Sequence, residues 1–523
     1  MVARKSRRIF EFHAKISVSM PACRDTMTEM LTSTGAEDCN SKVTAFHVVF
    51  AGLGFLSILP FWTVRYPVLT DYPHHLARWF VLRNIHDSTF HFSSYYTSDW
   101  GPHPYILSEV LGVLLQFVFP IDIAGRCILS LCLLAIPLAT LFFLRRAAPE
   151  NKHLAIFAFL IAFNPIMLMG FVESQLSLAL CIFVMGLWVS FCKSPKMLTA
   201  IGVAVGIVFV YLAHLIGFAM VGIAMGPYCL LVPKPVKRLF QLALLSIPGL
   251  LLFLYNAKRT ITGGHLTYQG LGILEKLRSV AFPIRIFSRV EDAIVLLGML
   301  VILWLLFRSR HQIHWQKPML TTCLVLLGVY FISPGEYGRA GYIDVRILPL
   351  VYLLALGAFR LERVPRNLFA AILAIVLFRF VTVEKLFVEK QKLLETRTAA
   401  FLAIPPGSRV LPLVNLARID TLVGRADVHH IAYGVVQKGF LVPTICYLPG
   451  FQGLQTTGAG YCPNTFCEVV SSAETDWSKV AEFYDYLWVD HFPAVEPFAR
   501  SIAEPVFSNE YVTVYRVKKS ITQ

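Results

Sequence analysis

Eleven apolar stretches follow one another along the chain, at 44–64, 125–145, 153–171, 174–192, 198–216, 217–233, 238–256, 291–307, 318–334, 347–360 and 367–383. A helix needs about 20 apolar residues to cross the hydrocarbon layer. That layer offers no water to backbone N–H and C=O groups, so a chain of this kind must satisfy them within helices. With 56% hydrophobic and 15% charged residues, and a mean hydropathy of +0.62, the sequence lies outside the range of ordinary soluble domains. The expected fold class is an all-α polytopic membrane protein with about 11 transmembrane helices and a small C-terminal extracytoplasmic α/β domain.

Charge sets the expected orientation. A further stretch, "YILSEVLGVLLQFVFPI" at 105–121, is shorter and contains Glu109 and Gln116. If it does not cross, the basic loops "RRAAPENKH", "CKSPKM", "VPKPVKR", "RSRHQIHWQK" and "RLERVPRN" share the side of the basic N-terminus, as cytoplasmic loops do. If it crosses, all five lie opposite that N-terminus. The first arrangement is expected, with the N-terminus cytoplasmic and the C-terminus outside. One loop opposes it: residues 257–290 carry Lys258, Arg259, Lys276, Arg278, Arg285 and Arg289 on the external side. Lys and Arg outnumber Asp and Glu by 47 to 32, but in a membrane protein the surplus belongs to such loops, so nucleic acid is not implied.

Three regions result: a basic cytoplasmic tail at 1–43, a transmembrane domain at 44–383 with a long first external loop at 65–124, and an extracytoplasmic α/β domain at 384–523. The tail runs into polar residues instead of a short apolar core, so it does not read as a cleaved signal peptide. In the last region "RVLPLV" (409–414), "YLWVDH" (486–491) and "YVTVYRV" (511–517) are predicted strands, and "PAVEPFARSIAE" (493–504) a helix. The eleven cysteines have no metal-site spacing. Cys462 and Cys467 in "YCPNTFCE" are placed to close a small disulfide loop in an oxidising compartment. No Gly-rich phosphate loop, nucleophile elbow or H-E-x-x-H is present, which disfavours an ATPase, a serine hydrolase and a zinc peptidase.

The ionisable residues near helix ends collect on one expected face. Asp71, His74 and His75 lie in "YPVLTDYPHHLARWF"; Glu173 lies in "MGFVESQ", His214 in "YLAHLIGF", and Glu336, Asp344 and Arg346 in "SPGEYGRAGYIDVRILP". Charges at membrane depth are costly and face a cavity or a partner, so an external-side pocket is expected. Asp71 fits a general base for an incoming hydroxyl, and equally a helix cap before Pro73. His74 and His75 point about 100° apart on a helix, so they do not ligate one metal together; either fits an acid, a phosphate contact or a structural histidine. Arg78 shares a face with His74. Glu173 and His214 with Asp71 offer oxygen and imidazole ligands suited to a divalent metal, Mg²⁺ or Mn²⁺, against the plainer reading of helix-end residues reaching water. Arg346, near Tyr337, Arg339 and Tyr342, presents a donor fork that matches a lipid phosphate; the competing partner is Asp344.

An N-terminal crossing, a first external loop opening on "TDYPHHLAR", the segment "GPHPYIL" containing His103, and an external C-terminal domain together resemble the GT-C superfamily. These are integral-membrane glycosyltransferases that use polyprenyl-phosphate sugars, among them protein mannosyltransferases and aminoarabinose transferases. The resemblance implies Asp71 as the first-loop acidic residue that acts as catalytic base or helps to arrange the acceptor, and Glu173 as a second acidic residue at an external turn. It also implies a polyprenyl-phosphate sugar as lipid partner, a glycan, lipid or protein acceptor, and a bacterial inner-membrane location. The sequence departs from the two-acid form of the first-loop motif, since Val68, Leu69, Tyr72 and Pro73 surround a single carboxylate. A transporter or lipid flippase is the competing class, and it predicts a midplane cavity with broken helices. A scaffold whose external tail binds a partner is a third.

Overall fold

The apolar stretches form helices whose two ends differ in chemistry. The computed structural model describes residues 34–260, 266–267, 273–286, 288–337, 341–414, 425–446, 450–457, 461–463 and 475–519, with side chains from residue 45 onward except at 258–260 and 266–267. The chain divides into two units, 1–54 and 55–523. Helix α1 (Thr34–Thr63) carries the first apolar run. There follow α2 (Tyr72–Asn84), α3 (Ile106–Leu115), α4 (Ile121–Ala147), α5 (Val172–Lys193), α6 (Met197–Ala213), α7 (Leu215–Leu230), α8 (Pro235–Thr260), α9 (Arg289–Arg308), α10 (Lys317–Ile332), α11 (Ile347–Ala355) and α12 (Arg366–Thr398).

Among the described residues, six helical runs are long and apolar enough to cross a membrane: Ala45–Thr63, Ile121–Ala147, Pro149–Leu168, Val172–Lys193, Pro235–Ala257 and Arg289–Arg308. Length therefore supports six of the eleven expected crossings. Helix α3 has 10 residues, about 15 Å at 1.5 Å per residue. That is half the hydrocarbon thickness of about 30 Å, so α3 is too short to cross by itself, and so is α11, whose 9 residues replace the longer span expected at 347–360.

Two segments depart from the single helices expected. The run at 149–168 is broken into a 3-10 stretch (Pro149–Ile156), a short helix (Phe157–Ala162) and a last turn (Pro165–Leu168). Asn164 before Pro165 stops the ladder, because a residue preceding proline is pushed out of the helical region. Its carboxamide caps the Met167 N–H at 3.2 Å and pairs with Gln175, whose Nε2 donates to Asn164 Oδ1 at 2.9 Å. Helix α12 runs instead beyond the expected boundary at 383, for 33 residues in all.

The five basic loops meet at one end. Lys193 donates to the Arg146 carbonyl, and Arg238 Nη2 to the Cys192 carbonyl at 2.9 Å. Asn151 accepts from the Leu361 N–H at 3.0 Å and donates to the Leu356 and Phe359 carbonyls. Ile313–Trp315 pairs antiparallel with Phe359–Leu361. Of the 257–290 loop, the described segment 273–286 lies at the other end, where the buried Lys276 is neutralised: it forms an ion pair with Asp344 and donates to Ser333 O at 2.9 Å. Arg285 meets Asp292 at 3.3 Å.

The C-terminal region builds a four-stranded sheet from β1 (Val410–Val414), β2 (Tyr486–Asp490), β3 (Ala503–Ser508) and β4 (Thr513–Val517), in the order β1-β2-β4-β3. Strands β1 and β2 run parallel, and β4 is antiparallel to β2 and β3. Leu411, Leu413, Leu487, Val489 and Tyr515 pack with Val480, Val495 and Ala499 in its core. The helix expected at 493–504 is Glu496–Ile502, and β3 follows it directly. Pro505 within β3 hides the strand from a sequence reading, yet β3 is an edge strand, where a missing N–H is tolerated. Cys462 is disulfide-bonded; its expected partner Cys467 lies outside the described residues. A short helix, α13 (Ala432–Lys438), packs on α2.

Candidate active site

Asp71 is held by its neighbours before any side chain is considered. Upstream, Gln391 of α12 takes both backbone groups of Tyr66: the Tyr66 N–H donates to Oε1 at 3.0 Å and Nε2 donates to the Tyr66 carbonyl at 2.9 Å. At Asp71 itself, the N–H donates to the Met169 carbonyl at 2.9 Å. The turn carrying Met169 continues through Gly170 at φ +80°, a left-handed conformation that favours glycine. A Cβ there would stand 2.7 Å from the Tyr72 nitrogen and 2.8 Å from the Asp71 nitrogen. The Asn164 break thus docks "MGFVES" against "TDYPHH".

The cap reading of Asp71 is corrected. The residue precedes α2 with φ −89° and ψ −8°, and its side chain makes no cap hydrogen bond. It turns instead toward His429, whose Nε2 lies 3.4 Å from Asp71 Oδ1. The His429 ring lies 3.9 Å, centroid to centroid, from the ring of His74. Burial, followed by the nearby His429, Arg78 and His75, holds His74 well below the usual histidine pKa, so His74 serves as a neutral ring.

One helical step away is a buried ionic knot. Arg78 Nη2 lies 3.4 Å from Glu173 Oε1, and its Nε lies 3.6 Å from Glu109 Oε1. His75 Nδ1 lies 2.7 Å from Arg78 Nη2 and 2.9 Å from Glu173 Oε1. One ring nitrogen accepts from the first or donates to the second, not both. Ser108 donates to Glu173 at 3.0 Å, and the Gly453 N–H donates to Glu109 at 2.9 Å. Among the described residues no three His, Cys, Asp or Glu side chains gather as a metal ion requires. Glu173 is engaged by Arg78, His75 and Ser108, and does not join Asp71 and His214 in the expected ligand set.

Arg346 defines the third part. Its Nη1 lies 2.7 Å from His214 Nε2, its Nη2 donates to the Gly341 carbonyl at 3.1 Å, and its guanidinium stands 4.6 Å over the Phe171 ring. The Ile216 N–H also donates to His214, at Nδ1 and 3.0 Å. A neutral imidazole has one lone pair to offer, so two donors compete for it. Tyr105 stacks on His214 at 4.9 Å. Asp344 is not the partner of Arg346, because it is taken by Lys276 and by the Val345 N–H at 2.8 Å. Tyr342 packs near Phe171, ring centroids 6.2 Å apart; burial, then Glu336 and Asp71, raise its hydroxyl pKa, while Arg346 lowers it.

Of the expected residues, Asp71, His74, His75, Arg78, Glu173, His214 and Arg346 collect at this end. His103 is buried and meets Asp99 at 3.3 Å. Tyr337 lies in a two-residue strand paired with Leu266–Thr267. Arg339 lies outside the described residues. The sequence reading weighed Glu109 only as bearing on whether 105–121 crosses and did not place it in the site, although a carboxylate inside an apolar helix is itself a signal. It also missed Phe171, Gly170, Tyr105 and His429, which acquire meaning only through distant contacts.

The architecture is that of a polytopic helical membrane protein with a mixed C-terminal sheet. No family model and no curated protein matches the chain. Among solved structures it is similar in fold to ArnT from Cupriavidus metallidurans. In the apo state that structure superposes with a TM-score of 0.57 at 10% identity, covering 91% of this chain and 98% of that one. The same protein bound to undecaprenyl phosphate gives 0.56 at 10% identity, covering 92% and 98%.

Proposed function

We propose that this chain is a membrane glycosyltransferase that moves a sugar from a polyprenyl-phosphate-linked donor to a hydroxyl acceptor on the extracytoplasmic side, with Asp71 as general base. The observation that carries the reading is the gathering, at one end of an ArnT-like bundle, of the Asp71 carboxylate beside His429 and the Arg346 guanidinium beside His214 and Phe171. The acceptor oxygen attacks the anomeric carbon while its proton passes to Asp71. The bond from that carbon to the phosphate oxygen breaks, and the lipid phosphate leaves with the electron pair. Arg346, shared between His214 and the Gly341 carbonyl, suits the developing phosphate charge, since guanidinium and phosphate match in geometry. A divalent metal, Mg²⁺ or Mn²⁺, remains part of the proposal only as an added phosphate contact.

The membrane orientation follows from charge. The five basic loops at the opposite end suit the cytoplasm of a bacterial inner membrane, which puts the site where lipid and external water meet. A transporter is less well supported, because the gathered residues lie at one end of the bundle, opposite the basic loops. The test is full-length protein in lipid, wild type and Asp71→Asn, incubated with extracted polyprenyl-linked sugars, with each donor followed by mass spectrometry. The expected result is one donor consumed by the wild type, and a loss of at least about 10²-fold in the folded variant. Equal consumption by both removes Asp71 as the base.

A further inference from the structure

We propose that His429, delivered by the C-terminal region, is the positioning residue for Asp71, so that the site is complete only with that region docked. The inference rests on the reading of Asp71 as the base. Two His-His dipeptides meet here and divide their labour in the same way. In the first, His75 is spent on Glu173 and Arg78, while His74 faces His429. In the second, His430 is spent on anchoring: its Nε2 lies 2.8 Å from Thr398 Oγ1, and its ring packs on Tyr66 at 5.3 Å and Phe401 at 5.8 Å. That leaves His429 beside Asp71, at 3.4 Å.

The segment around His429 is held on both sides. The Arg425 N–H donates to the Thr70 hydroxyl at 3.2 Å, one residue before Asp71, and Arg425 forms a two-pronged contact with Asp427, both at 2.9 Å. After it, Tyr433 of α13 packs on Tyr66 at 4.9 Å. Tyr66 and Asp71 bound the loop that carries the base, so the C-terminal segment grips that loop at both ends and sets an imidazole against the carboxylate. Because Asp71 makes no cap hydrogen bond, its carboxylate is not committed to the α2 amides. An N–H from His429 Nε2 fixes one carboxylate oxygen and thereby aims the other at the acceptor hydroxyl. Catalytic contacts of this kind tighten when substrate binds.

The experiment compares kcat and KM of wild type, His429→Ala, His429→Gln, Asp71→Asn and the Asp71→Asn, His429→Ala double variant, in lipid, on the donor that the wild type consumes. Misplacement of a catalytic group costs on the order of 10²-fold, so His429→Ala should lose about that much in kcat. Its KM should stay within about twofold, because the interaction acts in the transition state. His429→Gln, whose Nε2 also donates, should recover most of kcat. The double variant should be no slower than Asp71→Asn. Wild-type kcat in His429→Ala, or losses that multiply in the double variant, overturns the proposal. If His429→Ala does not fold, the failure of folded His429→Gln to exceed folded His429→Asn overturns it instead. Turnover by the wild type and its loss in Asp71→Asn are read first: if either fails, the assignment of Asp71 falls and this inference falls with it. If both hold, the His429 series judges the inference alone.

Discussion

The two ends of the bundle use the same cations in opposite ways. At the basic-loop end, Arg145, Arg146, Lys193, Lys196 and Lys237 are exposed, and their contacts go mainly to backbone carbonyls and rings. Arg238 is the buried exception at 8% exposed, and it too is tied to a carbonyl and a neutral side chain, not to a carboxylate. At the site end, Arg78, Lys276 and Arg346 are 1%, 5% and 8% exposed, and each is tied to a carboxylate or an imidazole. Exposed cations are individually cheap and act as a sum, which suits them to setting orientation. Buried ones are costly to maintain, and each has a specific partner to lose.

The largest test of that contrast is Arg78→Ala. Removing it leaves Glu109 and Glu173 facing each other in a buried site, and breaking a buried ionic cluster by deleting one member costs about 3–5 kcal/mol. Denaturant unfolding in detergent measures the loss, and adding Glu109→Gln should return part of it. Next comes Gly170→Ala, where a left-handed backbone and two contacts under 3.0 Å predict about 1–3 kcal/mol and a fall in activity, since the methyl presses on Asp71. A wild-type melting temperature in this variant would show that the 164–171 turn does not hold Asp71.

The third test uses pH. Burial, followed by Arg397, lowers the His430 pKa to about 3, against an ordinary value of about 6.5. The folded state therefore favours the neutral ring. Its contribution is fully present above about pH 6.5 and is lost as pH falls from there toward about 3. By pH 5 the loss is about 2 kcal/mol, from 1.4 kcal/mol per unit. Melting temperature against pH should fall less steeply in His430→Gln than in the wild type, with His74 supplying a remaining slope of the same sign. The smallest effect is expected of Arg145→Ala with Arg146→Ala: stability within about 0.5 kcal/mol and unchanged turnover. A loss as large as that of Arg78→Ala would erase the contrast between the ends.

Much of this was readable in the chain. Hydropathy located the apolar helices, six of them long enough to cross a bilayer, because bilayer thickness imposes a length, and the clustering of the five basic loops followed from charge alone. Strands at 410–414, 486–490 and 513–517 announced themselves by β-branched and aromatic content. The break at Asn164 did not, because an Asn-Pro step inside an apolar run leaves the hydropathy high. Helix α12 was cut short at 383 because its extension is polar, and hydropathy cannot tell a polar helix from a loop. At the site, Asp71 and its neighbours were legible from cost: charges at membrane depth are conspicuous. The Asp71–His429 contact spans 358 positions of chain, from 429 − 71, and no local pattern encodes it.

The length of α12 has a consequence of its own. The helix contains neither proline nor glycine over its 33 residues, so none of the usual causes of a sharp kink is present. The 15 residues from 384 to 398 raise its end by about 22 Å. Along that stretch sit Glu384, which accepts from the Thr63 hydroxyl at 2.7 Å, Gln391 on Tyr66, and Arg397 on Asp490 of β2. A stiff helix is a screw as well as a spacer: deleting one residue turns everything beyond it by about 100° and lowers it by about 1.5 Å. Such a deletion above Gln391 would swing the sheet out of phase with the first loop, whereas removing seven residues, nearly two whole turns, would shorten the stalk and almost keep its angle.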